Sequence, residues 1–250
     1  MTENCEGAGT GPQRSAVRSV PELPPGVVPA RVRSFVRRGR FSALTRDRLE
    51  RLGPAWSLPE GPFEPEVTFG RVAPVVLEIG CGHGAAAIAY AAEFPSRDML
   101  AMDVHSPGLA RMLADAADAG LPNLRIETGD VVEFLESRVA PGTFDAAHLF
   151  FPDPWPKRKH AKRRFVNPVN LDLLVSVLRP DGHVLVATDQ NFYADHVRAE
   201  VATHPRWAAY DIERPTWRPT AGFEAKGRAA GRRISELRLD LLADPQPRQD

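Results

Sequence analysis

Four acids, a glycine turn and one basic run carry the chemistry available to this chain. Glu78 stands two residues before the first glycine of Gly80-Cys81-Gly82-His83-Gly84. Asp103 lies 19 residues beyond Gly84, Asp130 directly follows Gly129, and Asp153 sits in Phe150-Phe151-Pro152-Asp153-Pro154-Trp155-Pro156. Glycines let the chain turn sharply and let backbone approach a ligand closely, so a nucleotide-type cofactor can lie against the helix that follows. The turn also reads as Gly80-x-Gly82-x-x-Ala85, which fits the dinucleotide fingerprint, so on the turn alone a nicotinamide enzyme stays open. A carboxylate at Glu78 would repel a pyrophosphate and suits a cationic, zwitterionic ligand such as S-adenosylmethionine. Asp103 can take both hydroxyls of a ribose, which either cofactor carries. Asp130 can accept from an adenine amino group. Each acid by itself also reads as a helix cap or solvated loop residue; acids at the ends of three successive strands line one crevice.

The segment around Asp153 narrows the reaction. Prolines at 152, 154 and 156 make a stiff, non-helical loop. A carboxylate held there can accept from N1–H and the exocyclic amine of guanine, an arrangement no other base presents. Guanine N7 already carries a free lone pair, so attack through it needs no general base. In-line placement and charge stabilisation can then supply the catalysis, with Asp153 in an orienting and electrostatic role. Lys157-Arg158-Lys159-His160-Ala161-Lys162-Arg163-Arg164 holds six Lys/Arg and one His in eight residues. Such a run is commonly a solvated face. Beside a rigid loop at the crevice it reads as a phosphate-binding track, with Trp155 stacking on a base or packing the loop.

Positioning these groups requires strands that end where the acids stand. Strands are expected over 75–79, 99–104, 124–127, 144–150 and 184–188, and helices over 83–94, 107–119, 131–139, 168–178 and 192–203. This alternation implies a parallel sheet covered on both faces. Ile234 to Leu242 alternates weakly and fits a closing strand. Upstream, Arg31 to Leu52 is basic and reads either as a solvated linker or as an arm that touches phosphate. Thr45 is expected to cap a short helix through Arg46 to Leu52 that Gly53-Pro54 ends. The resulting organisation is a disordered Pro/Gly-rich tail over 1–30, a basic arm with a short helix over 31–70, one α/β domain over 71–243 and a disordered end over 244–250.

Bulk properties bound the partners. The 250 residues carry 32 Lys plus Arg and 32 Asp plus Glu, so any polyanion must be held by local positive charge. Cys5 and Cys81 cannot build a disulfide framework, which suits a reducing, cytoplasmic setting. No apolar run is long enough for a membrane span, and the N-terminus lacks the apolar stretch of a secretory signal. His83 reads as a loop histidine, and the histidines and cysteines show no metal-ligand spacing. Monomer and homodimer are both open.

These residues bring the chain close to a known family. EIGCGHG at 78–84, Asp103, Asp130 and, above all, FPDPWPKRKHAKRR at 151–164 resemble the bacterial tRNA (guanine-N7-)-methyltransferase family. Ala187-Thr188-Asp189, Tyr193-Ala194, Arg218-Pro219, Phe223-Glu224, Lys226-Gly227 and Arg33 to Arg40 extend the likeness over about residues 33–242. The resemblance implies a Rossmann-like class I methyltransferase fold, a mostly parallel seven-stranded sheet with helices on both faces and an antiparallel last strand. It implies S-adenosylmethionine held by Glu78, Gly80, Gly82, Asp103, Asp130 and Asp153, with Asp153 catalytic. It places Lys157 and Asp189 at the substrate, and Lys159, His160, Lys162, Arg163 and Arg164 against tRNA, whose variable-loop guanosine is the implied target. One motif departs: the family's Thr-x-Phe/Tyr-Glu is here Ala221-Gly222-Phe223-Glu224, with a threonine one position early at Thr220. Thr220, Phe223 and Glu224 are carried over as substrate-side residues.

Overall fold

The computed structural model describes residues 42–243. The expected tails, and the stretch Arg33 to Arg40, lie outside the described residues. A strand β1 (Val75–Ile79) with all five residues buried runs through the middle of a seven-stranded sheet. Parallel neighbours β2 (Asp98–Asp103) and β4 (Phe144–Phe150) flank it; β3 (Leu124–Thr128) lies outside β2, and β5 (Leu178–Thr188) outside β4. The order is β3-β2-β1-β4-β5-β7-β6. The strand β7 (Ser235–Leu241) runs antiparallel to both β5 and the edge strand β6 (Trp207–Asp211), so the last strand is the reversed one, as expected. The chain builds outward from β1 first one way and then the other. The switch between β1 and β4 opens a crevice at the carboxyl ends of the strands.

Alternation along β1 feeds two cores. Val75, Leu77 and Ile79 join Phe134, Leu171, Tyr193 and Val197 on one face. Val76 joins Ala87, Tyr90, Leu109 and Met112 on the other. The first face is covered by α5 (Val131–Arg138), α6 (Pro168–Val177) and α7 (Asn191–Ala202), the second by α3 (Ala85–Glu93) and α4 (Ser106–Ala119). Burying a side chain of Leu or Phe size stabilises by about 1.5–3 kcal/mol, so both faces require cover.

Several elements differ from expectation. The first helix, α1, runs Ala43–Trp56, not Arg46 to Leu52, and its cap is Ser42, whose Oγ accepts from the Thr45 N–H at 3.1 Å. Pro54 lies inside its last turn. The helix continues past it because Leu49, Leu52 and Trp56 pack against the second core, while the Ser57 N–H closes the end on the Gly53 carbonyl at 2.9 Å. Thus residues 42–70 of the expected arm dock on the domain, with α1 against α4 and Phe63 in the first core. Strand β5 starts at Leu178, six residues before its expected start. The edge strand β6, the short helix α2 (Pro65–Phe69), the helix α8 (Gly222–Ala229) and a 3-10 helix over Arg158–Arg163 were not anticipated. Among the described residues no helix is long and apolar enough to cross a membrane.

Candidate active site

The glycine turn leaves β1 through left-handed backbone at Gly80 (φ 76°), Gly82 (φ 59°) and Gly84 (φ 77°), a region side chains with a Cβ rarely adopt. The Gly80 and Cys81 N–H groups donate to the Met102 carbonyl at 2.9 and 3.0 Å, tying the turn to β2. Asp103 then accepts from the Gly82 N–H through Oδ2 and from the His105 N–H through Oδ1, each at 2.7 Å. The acid is pinned at the mouth of the crevice, with lone pairs left for a ligand. A Cβ on Gly80, Gly82 or Gly129 would meet nothing within 4 Å, so these backbones face open space. One residue that sequence reading missed completes the turn. A Cβ on Gly108 would come within 2.4 Å of the Gly82 carbonyl oxygen, so α4 can lie on the turn only with glycine there.

Glu78 is buried, and its Oε2 has no hydrogen-bond partner among the described residues. Burial pushes its carboxyl up to about 8; the Arg218 charge pulls down and Asp103 pushes further up. His148 pairs with it in register on β4, its ring stacked against those of Phe150 and Trp217 at 5.0 and 5.2 Å. Burial, followed by His183 and Arg218, lowers His148 to about 3, so it stays neutral and offers Glu78 no counter-charge. Asp130 caps α5, its Oδ1 accepting from the Val132 N–H at 2.9 Å. Its capping and ligand-binding readings are compatible, since among the described residues Oδ2 makes no such bond. An orphaned buried carboxylate, acids at or just after the ends of β1, β2 and β3, and open glycine backbones fit a cationic adenosine ligand. Among the described residues no group of three or more His, Cys, Asp or Glu side chains is placed to hold a metal.

The loop after β4 presents Asp153 between two non-glycine residues in the left-handed region, Phe151 (φ 52°) and Trp155 (φ 42°). Asp153 stands exposed just past the carboxyl end of β4; partial desolvation, followed by the charge of Asp103, raises its carboxyl above its ordinary value. The basic run coils into the 3-10 helix. Lys157, Arg158, Lys159 and Lys162 are exposed. The Arg163 guanidinium lies 4.8 Å over the Trp155 ring, and His160 meets the same ring edge-on at 5.7 Å. Arg164 is different: it is buried and turned inward, away from the RNA role expected for it.

At the end of β5, Asp189 accepts from Arg232 Nε at 2.7 Å. A Cβ on Gly227 would come within 2.9 Å of Asp189 Cβ, so α8 rests against this acid. Phe223 is exposed, with Lys226 Nζ 5.3 Å from its ring, and Thr220 is exposed, its hydroxyl accepting from Arg214 at 3.3 Å. Glu224 does not join them at the surface. It is buried and accepts from Arg214 at 2.7 Å, Arg228 at 3.0 Å and Arg218 at 3.3 Å. Burial alone would raise its carboxyl, but the Arg214 hydrogen bond and the Arg218 charge lower it on balance. Arg218 also pairs with Glu236 and lies 4.7 Å over the Phe150 ring. Arg218 falls within the motif resemblance, but no spacing signalled Glu236, 18 residues on.

Fold and site together define a class I methyltransferase. The family model described as "Putative methyltransferase" matches residues 72–237. A tRNA (guanine-N(7)-)-methyltransferase of Burkholderia cenocepacia (strain HI2424) is 40% identical over 220 residues, covering 86% of this chain and 86% of the relative. Relatives of the same name from Chromohalobacter salexigens (37%, 89% of this chain, 96% of the relative) and Streptomyces avermitilis (39%, 87% and 77%) are similar over comparable lengths. The chain therefore belongs to the tRNA (guanine-N(7)-)-methyltransferase family. In three dimensions it is similar to the 16S rRNA methyltransferase KamB at a TM-score of 0.50 and 19% identity, over 76% of this chain and 99% of that one, which speaks to the fold.

Proposed function

We propose that this chain transfers a methyl group from S-adenosylmethionine to N7 of a guanosine in the variable loop of tRNA, forming 7-methylguanosine. The observation that carries the reading is the Asp153 loop: a stiff, acid-bearing segment at the carboxyl end of β4 that continues directly into an exposed cationic 3-10 helix. Glu78 would hold the cationic end of the cofactor, Asp103 its ribose hydroxyls, Asp130 its adenine amine, and the Gly80 and Gly82 backbones would lie against it. When bound, the cofactor supplies a methyl group activated by its sulfonium. Asp153 accepts from the guanine N1–H and exocyclic amine, and its charge favours the positive charge that N7 methylation places on the ring. Guanine N7 needs no deprotonation, so no side chain here acts as a general base. Lys157, Lys159, Lys162 and Arg163, with His160, meet the RNA; Asp189, Thr220 and Phe223 are the further substrate-side residues. Glu224 acts from within, as the hub that holds Arg214, Arg218 and Arg228 together. A tRNA substrate and a free, buried Cys81 support a cytoplasmic setting for the reaction.

A nicotinamide enzyme is disfavoured by Glu78, an acid whose ionisation a cationic ligand favours and a pyrophosphate opposes, and by the basic proline-rich loop beside the crevice. Labelled S-adenosylmethionine incubated with unmodified tRNA, followed by nucleoside analysis, tests the proposal. The expected product is labelled 7-methylguanosine. Label in any other nucleoside, or none, overturns it.

A further inference from the structure

Prolines at 152, 154 and 156 remove three backbone N–H groups from the Asp153 loop, so it cannot close on itself through a turn or helix. It must nevertheless hold Phe151 and Trp155 in left-handed backbone, a conformation that persists only when the surroundings impose it. On one side the Phe151 N–H donates to the Ala187 carbonyl at 2.7 Å, anchoring the loop to β5. On the other side, among the described residues, the hydrogen bonds to the loop's carbonyls come from one side chain. Arg164 donates from Nε to the Pro154 carbonyl at 3.1 Å and from Nη2 to the Trp155 carbonyl at 3.3 Å. Its guanidinium lies 5.5 Å over the Phe192 ring at the start of α7, and its own carbonyl accepts from Asn167 at 2.9 Å. Charged donors make the stronger hydrogen bonds, and here two converge on consecutive carbonyls just after Asp153.

We propose that Arg164 is a positioning residue: by clamping the Pro154 and Trp155 carbonyls from inside the fold it sets the placement of Asp153. The basic run then divides by direction. Lys157, Arg158, Lys159 and Lys162 face outward to the RNA, whereas the last cation of the run faces inward and fixes the acid, so RNA engagement and acid placement are joined through one short helix. This rests on the methyl-transfer reading above.

The test uses the full chain, as wild type, Arg164→Ala and Arg164→Lys, with unmodified tRNA. Arg164→Ala is expected to lower kcat about 100-fold, the scale of a 1 Å misplacement, while Kd for S-adenosylmethionine, Kd for tRNA and its salt slope stay at wild-type values. Arg164→Lys should restore part of kcat, since one ammonium can reach one of the two carbonyls. Unchanged kcat in both variants overturns the clamp; a weakened tRNA Kd with a reduced salt slope and unchanged kcat makes Arg164 an RNA contact instead. If Arg164→Ala does not fold, Arg164→Lys decides by the same criteria. Absence of 7-methylguanosine with the wild type would overturn the function, not the clamp. The clamp is then read by acrylamide quenching of Trp155 emission, obtained by difference from Trp155→Phe in each background. Quenching is expected to rise in the Arg164 variants, and unchanged quenching overturns the proposal.

Discussion

Arg218 and Glu236 form a two-pronged ion pair inside the protein, at 2% and 8% side-chain exposure. One prong, Nη1 to Oε2, measures 2.9 Å; the other joins Nη2 to Oε1. The same guanidinium reaches Glu224 Oε2 at 3.2 Å, so one cation ties β7 to α8 while its face covers Phe150 at the end of β4.

Removing that cation strips buried Glu236 of its two-pronged partner, while Glu224 keeps Arg214 and Arg228. Arg218→Ala is expected to cost about 3–5 kcal/mol, the scale for breaking a buried pair from one side. Urea unfolding measures it, and a loss under about 1 kcal/mol would show that the acids find other partners.

Glu78 makes S-adenosylmethionine affinity depend on pH. Its carboxyl sits at about 8 in the fold against an ordinary 4.5. Between these values the folded chain holds a proton that the unfolded chain has released, so this residue's contribution to stability falls as pH rises through the window and levels off above it. A bound cation favours the ionised form, so binding releases a proton and affinity rises with pH up to about 8. Calorimetry in buffers of different ionisation enthalpy should detect the release, and Glu78→Gln should abolish both the release and the slope. A pH-independent Kd in the wild type would refute the coupling.

Asp153 should matter to the chemical step and little to cofactor affinity. In single-turnover assays Asp153→Ala and Asp153→Asn are both expected to lose about 100-fold or more in rate, since each removes the charge that faces the developing positive ring. Equilibrium binding of S-adenosylmethionine should stay close to wild type. An undiminished rate in either variant would remove Asp153 from the reaction.

The outward face of the 3-10 helix should set the salt dependence of tRNA binding. Replacing Lys159, Lys162 and Arg163 together with Ala is expected to lower the slope of log K against log salt by about 2, from three phosphate contacts at roughly 0.7 each. Titrations at several ionic strengths read this directly, and an unaltered slope would move the RNA track to another face.

Local chemistry in the chain was enough to read the parallel core and the acids at its strand ends. Apolar runs such as Val75 to Ile79, followed by glycines, announce buried strands and the turns after them, because burial and positive φ each demand particular residue types. Where neighbours distant in sequence decide, local signals failed. The edge strand Trp207–Asp211 lacks alternation and exists because β7 pairs with it. Helix α1 runs through Pro54 because Trp56 finds a core to pack on. Charge runs hide direction altogether. Arg163 and Arg164 are adjacent and chemically equal in the chain, yet one stacks on Trp155 near the surface and the other is buried under the Asp153 loop. Glu224, read as a substrate contact, is instead enclosed by Arg214, Arg218 and Arg228. Which side chain meets solvent and which meets a carbonyl is fixed only once the helix has docked, since that choice depends on the hydrogen-bond acceptors the rest of the fold leaves unpaired.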